Sequence, residues 1–167
     1  ELATEQRDPE LGSALYSAAA RVYENDVGNV DRAIELYRRV LSIDPTNLAA
    51  AEALQVLFQG SERYADMSLI LQRKAEILED VDQKKDALFQ AAMLEEEVLD
   101  RTDNAIGAYL KVLEIDPEDL RSIDALIKLY LSQSRWEELL QVYSKKADLV
   151  LDPEEKKLIL YQVGAVY

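Results

Sequence analysis

The 167-residue chain contains no cysteine and no histidine. Without cysteine it can form no disulfide, no thiolate metal site and no catalytic thiol. Without histidine it lacks the commonest general base and the commonest protein ligand for metals. Its five glycines are scattered, so no glycine-rich loop is present to hold a phosphate. We therefore expect no catalytic residue, no metal ligand and no cofactor.

Positive charge is also scarce, since 19 lysines and arginines stand against 33 aspartates and glutamates, for a net charge of −14. Binding to nucleic acid or to an anionic membrane surface needs clustered cations, so we expect neither partner. A chain of this charge would attract a basic partner, although a charge that only keeps the protein soluble is the more ordinary interpretation. No apolar run approaches the roughly 20 residues of a membrane-spanning helix.

Neither end of the sequence has the form of a natural terminus. The first residue is not methionine, no signal peptide is visible, and the chain stops within an apolar pattern at 160–167. We expect both ends to be cuts through a longer protein. The compartment is left open on this basis, with a cytoplasmic location favoured.

The few prolines mark an internal repeat. Aspartates recur every 36 residues, and four of the five are followed by the four prolines of the chain. These aspartates are Asp8, Asp44, Asp80, Asp116 and Asp152. A period of this length is typical of a solenoid of stacked units rather than of a single globular core. The predicted units of this one solenoid are 8–43, 44–79, 80–115 and 116–151, with a partial fifth unit at 152–167 and the stump of a preceding helix at 1–7.

Each Asp-Pro pair predicts the beginning of a helix. The aspartate can accept hydrogen bonds from the free N–H groups of the first turn, and proline at the first helical position has no N–H to leave unpaired. A second break falls near the middle of each unit, so each unit is predicted to be a hairpin of two amphipathic helices. The predicted helices are 9–25, 30–43, 46–59, 62–79, 81–100, 103–115, 118–132, 135–151 and 154–167.

A longer period of 72 residues is superimposed on the short one. The segment Val30–Asp44 matches Thr102–Asp116, and the match continues without a gap into the residues that follow. We predict that the first unit begins one residue out of register, with Leu15 in the place of Leu88. The building block is then a pair of unlike helical hairpins.

The second helices of the first and third units resemble those of the tetratricopeptide repeat family. Each carries a small residue, an aromatic residue four positions on, a branched residue three further and a proline after the helix. These residues are Ala33, Tyr37, Val40 and Pro45 in the first unit, and Ala105, Tyr109, Val112 and Pro117 in the third. The second and fourth units depart from the pattern, with Met67 and Leu139 in place of the small residue. The resemblance implies an all-α, right-handed superhelix of antiparallel helix pairs and a role as scaffold or adaptor.

The resemblance also implies a binding surface, because in this family the first helix of each pair lines a concave face. An exposed stripe that avoids the predicted core runs along these helices. We call it the first-helix stripe, and its residues are Ser17, Arg21, Glu24, Glu52, Val56, Gln59, Gln90, Leu94, Glu97, Asp124, Lys128, Leu131 and Gln162. Its mixed polarity suits an extended peptide or a helix of another protein, with a basic segment as one form. We therefore expect non-catalytic protein–protein binding.

Two other functions are left open. The array could be a structural spacer that positions other domains and has no ligand of its own. It could also be a hydrolase that uses carboxylates alone, although such chemistry needs two acidic residues in a deep pocket and an open solenoid offers little depth. The run Glu95–Glu97 is not expected to bind a metal, since consecutive helical positions point in different directions.

Three further features have expected structural roles. Tyr64 and Trp136 each begin a second helix, where we expect their rings to pack on the preceding hairpin. The basic pairs that recur across the 72-residue period are expected to neutralise nearby carboxylates. These pairs are 73–74, 84–85, 145–146 and 156–157. A basic ridge along one edge of the solenoid that binds an acidic partner is left open as an alternative.

The last helix is predicted to expose apolar side chains. Leu158, Ile159, Val163 and Val166 would form this surface, because no following helix covers them. We therefore expect the chain to associate end to end with copies of itself at high concentration.

Overall fold

The computed structural model describes residues 8–166, so the predicted stump at 1–7 lies outside it. In this part of the chain there are nine α-helices and no strand, as predicted. They are α1 (Pro9–Val22), α2 (Val30–Ile43), α3 (Leu48–Gly60), α4 (Tyr64–Ile77), α5 (Val81–Met93), α6 (Thr102–Ile115), α7 (Leu120–Ser132), α8 (Trp136–Leu149) and α9 (Pro153–Val166). A π-helical turn extends α1 at Tyr23–Val27, and another extends α5 at Leu94–Val98.

Each helix packs against the next one in the sequence, from α1 to α9. The first helices are α1, α3, α5, α7 and α9, and the second helices are α2, α4, α6 and α8. Buried side chains form three clusters along the stack rather than one central core. The predicted fold class, an all-α solenoid of antiparallel helix pairs, is confirmed.

Two aspartates of the 36-residue series cap helices as predicted. Asp8 accepts a hydrogen bond from Leu11 N at 3.1 Å, and Pro9 is the first residue of α1. Asp80 accepts from Gln83 N at 2.8 Å and caps α5, although no proline follows it. The side-chain oxygen satisfies an N–H that the first helical turn leaves without a partner.

The predicted start of the third helix, at residue 46 after the Asp44–Pro45 pair, is two residues too early. Asp44 Oδ1 accepts from the backbone N–H of Thr46 at 3.1 Å, which makes a turn ahead of the helix. The cap of α3 is Asn47, whose Oδ1 accepts from Ala50 N at 3.0 Å. The same shift occurs 72 residues later, where Asp119 caps α7. Helix initiation moves because a second capping residue follows the Asp-Pro pair at these two sites.

Burial shows that the first unit keeps the same 72-residue register as the rest of the chain. Ala20 and Ala92 are both 0% exposed at equivalent positions. Leu15 is 56% exposed, whereas Leu88, its predicted counterpart, is 5% exposed. The predicted one-residue offset is therefore wrong. It matched leucine with leucine, but the angular position of a side chain around the helix decides what it contacts.

The π-helical turns are each tied to the following second helix by a tyrosine. Tyr37 Oη donates to a carboxylate oxygen of Glu24 at 2.8 Å, and Tyr109 Oη donates to Glu96 at 2.9 Å. Burial, with the hydrogen bond to Glu24, raises the pKa of Tyr37 to about 12, and burial also raises the pKa of Tyr109. Both tyrosines are almost fully buried, which confirms their predicted place in the core.

The expected burial of Trp136 is wrong, since its side chain is 48% exposed. The neighbouring Arg135 packs on the first helix of the same hairpin, where its guanidinium carbon lies 5.0 Å from the ring centroid of Tyr130. Its Nη1 also lies 3.4 Å from Asp103 on α6 of the preceding hairpin. A cation over an aromatic face is a favourable contact that leaves the indole outside. Tyr64, by contrast, is partly buried and packs against the first cluster, as predicted.

The apolar surface of α9 differs from the prediction. Ile159 is 3% exposed and Val163 is partly buried, because both pack against the second cluster. Leu158 is exposed as predicted, and Leu160 and Tyr161 are exposed as well. The side chain of Val166 lies outside the described part of the structure. End-to-end association stays a prediction, with Leu158, Leu160 and Tyr161 as its exposed surface.

Candidate protein-binding surface

The first-helix stripe follows the five first helices and the two π-helical turns. Most of its side chains are exposed, and three are partly buried, namely Ser17, Glu24 and Leu94. Leu94 packs against the first cluster, while Glu24 accepts a hydrogen bond from the hydroxyl of Tyr37. Leu94 and Glu24 therefore belong more to the packing of the solenoid than to its free surface.

The corrected register changes which residues of α1 are equivalent to the stripe on α5. Gln90 and Leu94 correspond to Ala18 and Val22 at a spacing of 72 residues, and not to Ser17 and Arg21. Ala18 is exposed, and Val22 is 48% exposed. The stripe is continuous from α3 to α9, whereas its α1 section is displaced by one position around the helix.

Two acidic residues of the stripe are paired with lysines of the second helices. Lys74 Nζ lies 3.4 Å from Glu52 Oε1, and Lys146 Nζ lies 2.8 Å from Asp124 Oδ1, 72 residues further on. Both lysines are mostly buried, at 20% and 19% exposure of the side chain. A cation in such a place needs a partner, so these pairs have a structural role in joining the two helices of a hairpin.

A third ion pair connects the stripe across neighbouring hairpins. Lys128 Nζ lies 2.6 Å from Glu96 Oε1, and the other carboxylate oxygen of Glu96 accepts a hydrogen bond from the hydroxyl of Tyr109. The hydrogen bond to Glu96 raises the pKa of the Lys128 ammonium group. Glu97, the next residue, is exposed and adds negative charge to the surroundings of Lys128. Glu97 is thus the acidic side chain of the stripe best placed to meet a cation from a partner.

Apolar side chains interrupt the polar character of the stripe. Val56 is 63% exposed on α3, and Leu131 is 42% exposed on α7. Their counterparts at a spacing of 72 residues are polar, Lys128 for Val56 and Gln59 for Leu131. Since solenoid packing does not require these side chains, each is a candidate anchor for an apolar group of a partner.

Two cavities open beside the first helices. One of about 230 Å³ lies between α3 and α5, and Gln55, Gln83 and Gln90 line it together with Lys74. The other, of about 530 Å³, lies beside the N-terminal half of α1 and includes Ser17. Gln55 and Gln83 were not in the predicted stripe, because the pattern followed one angular position and these two face the gap between neighbouring helices.

The basic pairs act mainly as neutralising groups, as predicted. Lys85 Nζ lies 2.8 Å from Asp116 Oδ2 and 3.1 Å from Asp82 Oδ1. These hydrogen bonds raise the pKa of Lys85 and, in return, lower that of Asp116. Arg73 donates to the carbonyl oxygen of Leu41 at 2.9 Å, near the C-terminal end of α2. Lys74, Lys146 and Lys157 each pair with a carboxylate as well, so most cations of these pairs are engaged individually.

The three consecutive glutamates have different surroundings. Glu95 is 2% exposed and accepts from Asn104 Nδ2 at 3.1 Å. Glu96 is held by the tyrosine and lysine described above, and Glu97 faces solvent. Across residues 8–166 no group of three or more acidic side chains is arranged to hold a metal ion.

Fold and surface together define an α-helical repeat protein. Sequence profiles of the tetratricopeptide repeat match residues 14–49 and 122–157, and a second profile of the same repeat matches 86–119. The matched segments together span more than half of the chain. The chain belongs to the tetratricopeptide repeat family.

Similar solved structures include YrrB, described as a tetratricopeptide repeat protein with an unusual peptide-binding site. It is 14% identical, with a TM-score of 0.50 over 91% of this chain and 74% of that one. A structure of MamA (AMB-1) is 24% identical, with a TM-score of 0.50 over 82% of this chain and 72% of that one. At these identities the likeness shows the fold alone. No curated protein matches the sequence. None of the helices described is long and apolar enough to cross a membrane.

Proposed function

We propose that the chain binds a peptide or a helical segment of another protein along the first-helix stripe and catalyses no reaction. Membership of the tetratricopeptide repeat family supports a protein–protein interaction scaffold in general. The peptide-binding site named for YrrB is consistent with a peptide as the partner. The observation that carries the proposal is the combination of exposed apolar side chains on α3 and α7 with the exposed carboxylate of Glu97 after α5.

The stripe offers three kinds of contact to such a segment. Val56 and Leu131 can contact apolar side chains, and Glu97 can pair with a cation of the partner. The glutamines at the cavity between α3 and α5 can donate to and accept from a peptide backbone. Glu52 and Asp124 contribute less, because their lysine partners already neutralise them. A segment of mixed or basic charge with spaced apolar residues fits this arrangement.

The same pairing argues against a carboxylate hydrolase. Such an enzyme needs two carboxylates that converge on one bond, one of them protonated and one ionised. On the stripe, Glu24 accepts from Tyr37, while Glu52 and Asp124 are held by lysines. These acids stabilise the solenoid, and binding is the function that the surface favours.

Affinity measurements on matched variants test the proposal. Peptides selected from a phage-displayed library against the chain would be measured by fluorescence anisotropy. Leu131→Gln places in α7 the residue that α3 carries at the equivalent position, and it should weaken binding roughly tenfold through loss of an apolar anchor. Its control is Leu110→Gln on α6, a residue with 41% exposure against 42% for Leu131.

A charge reversal provides the second arm. Glu97→Lys should lower the affinity for a basic peptide, and the rate at which this peptide associates with the wild-type chain should fall as the salt concentration is raised. Glu114→Lys makes the same change of charge at an exposed position of a second helix and should leave affinity unchanged. If all four variants bind equally well, the stripe is not the binding surface, and a role as a structural spacer becomes the favoured function.

A further inference from the structure

A second surface lies between two second helices, away from the first-helix stripe. A groove of about 360 Å³ separates α2 from α4, and residues of α3 form part of its floor. We call it the second-helix groove, and its lining residues are Arg38, Leu41, Ser42, Leu54, Phe58, Asp66, Leu69, Ile70 and Arg73. A cavity of this size can hold one bulky side chain of a peptide.

The floor of the groove is apolar and its rim is cationic. Leu54 and Phe58 are 1% and 2% exposed, so the floor is part of the packed interior. Arg38 lies 2.5 Å from Asp66 at the rim, and its guanidinium carbon is 5.3 Å from the ring centroid of Phe58. Arg73 donates through one Nη atom to the carbonyl oxygen of Leu41. Guanidinium groups carry five N–H donors each, so both retain donors that can face the groove.

The charge of this groove contrasts with that of the whole chain. Two arginines and one aspartate line it, which leaves an excess of one positive charge, whereas the chain carries −14. Two guanidinium groups beside an apolar cleft are complementary to a carboxylate that lies next to an apolar side chain. A basic segment, which the first-helix stripe favours, would be repelled here.

The 72-residue repeat relates a first block, residues 8–79, to a second block, residues 80–151, and so provides an internal comparison. The floor residues Leu54 and Phe58 correspond to Leu126 and Tyr130, which are also buried. The rim is different, because Arg38 corresponds to Leu110, Leu69 to Gln141 and Arg73 to Lys145. Leu69 is 65% exposed, so packing of the solenoid does not account for a leucine there. The rim differs between two blocks that share a scaffold, which is expected when one block has a ligand that the other lacks.

We propose that the second-helix groove binds a short acidic peptide segment in which a leucine or phenylalanine side chain enters the cleft. A neighbouring carboxylate of the peptide would pair with Arg73 and Arg38, and Leu69 would cover the apolar side chain. This proposal is independent of the first-helix stripe, since the rim of the groove lies on α2 and α4 and the partner has the opposite charge.

NMR titration of the ¹⁵N-labelled chain tests the proposal with two synthetic probes. One is the peptide Glu-Glu-Leu-Phe-Asp, and the other is Lys-Lys-Leu-Phe-Lys, which keeps the apolar side chains and reverses the charge. The acidic probe should cause saturable shifts of the amides of Arg38, Leu69 and Arg73, while Leu110 and Lys145 stay unshifted. The basic probe should leave the groove unshifted. Absence of saturable shifts at millimolar acidic probe, or equal shifts with both probes, would overturn the proposal.

Variants that exchange residues between the blocks keep the test independent of folding. The double change Arg38→Leu with Leu69→Gln copies two rim residues of the second block, so the chain should still fold, which thermal unfolding would verify. It should weaken the acidic probe roughly tenfold or more. Lys145→Ala in the second block should leave the affinity for the acidic probe unchanged. If the double variant binds the acidic probe as wild type does, the groove assignment is wrong. Glu97→Lys should not weaken this probe, so failure here is distinguishable from failure of the stripe.

Discussion

At the residue scale, the turns inside the hairpins depend on left-handed backbone conformations. One residue with positive φ occurs in each of the four turns, namely Gly28, Glu62, Asp100 and Ser134. A residue in this conformation ends a helix because it turns the chain away from the helix axis. The N–H groups at and just after this residue still donate to carbonyl oxygens of the last helical turn. Only one of the four turns uses glycine, so this conformation was not visible from glycine content alone.

Two glycine substitutions should change stability in opposite directions. Gly28 has φ of 70°, whereas Gly107 lies inside α6, and a Cβ at either position would meet no atom within 4 Å. Gly28→Ala should lower the free energy of unfolding by about 1 kcal/mol, because alanine resists positive φ. Gly107→Ala should raise it by about 0.5–1 kcal/mol through helix propensity. Urea denaturation measures both, and changes of the same sign would contradict the assigned turn conformation.

Single aromatic residues also show where sequence reasoning succeeds and fails. Tyr37 and Tyr109 repeat at the family positions of a second helix, and their burial followed from that pattern. Trp136 has no such pattern, and a large apolar ring alone predicted burial wrongly. The stacking of Arg135 on Tyr130 decided the outcome, and contacts of this kind depend on side-chain conformations that the sequence does not specify.

At the scale of the elements, the Tyr–Glu hydrogen bonds connect the π-helical turns to the second helices. The pKa of Tyr37 is about 12 in the folded chain against an ordinary value of 10.0. The folded state therefore retains the proton more strongly than the unfolded state does. The stabilisation is complete below pH 10 and is lost as pH rises toward 12.

This linkage predicts a fall in the free energy of unfolding between about pH 10 and 12. Tyr37→Phe should make the fall shallower, because it removes one group whose ionisation opposes folding. Tyr161 is 76% exposed, so Tyr161→Phe is the control that should leave the slope as in wild type. Urea denaturation across this pH range gives the slopes. An unchanged slope for Tyr37→Phe would mean that its hydroxyl is neither buried nor held by Glu24 in the folded chain.

Helix boundaries show why periodicity predicted the elements better than their ends. The 36-residue spacing identified each helix, because a stack of hairpins repeats its apolar positions. The starts of α3 and α7 were misplaced because Asn47 and Asp119 compete with the preceding Asp-Pro pairs as caps. At each site the sequence has two capping residues within one short turn, and only the backbone geometry shows which of them caps the helix.

At the scale of the whole molecule, the two 72-residue blocks share the contacts that maintain the fold and differ in exposed side chains that can bind a ligand. Contacts that recur in both blocks hold the solenoid together, such as Glu52 with Lys74 and Asp124 with Lys146. Exposed side chains that differ between the blocks are not needed for this packing and can contact a ligand. Val56, Leu131 and Leu69 are of this second kind, and they belong to the two proposed binding surfaces. The fold was therefore predictable from the repeat, whereas the second-helix groove became visible only when burial was compared between the blocks.

The central claim is that a protein segment binds along the first-helix stripe, and mapping a selected peptide by NMR tests it most directly. On titration of the ¹⁵N-labelled chain, the amides of Val56, Gln59, Gln90, Glu97 and Leu131 should shift together and saturate with one Kd. The amides of exposed residues on α2, α4 and α6 should stay unshifted. Shifts confined to those second helices, with none on α3, α5 and α7, would contradict the claim.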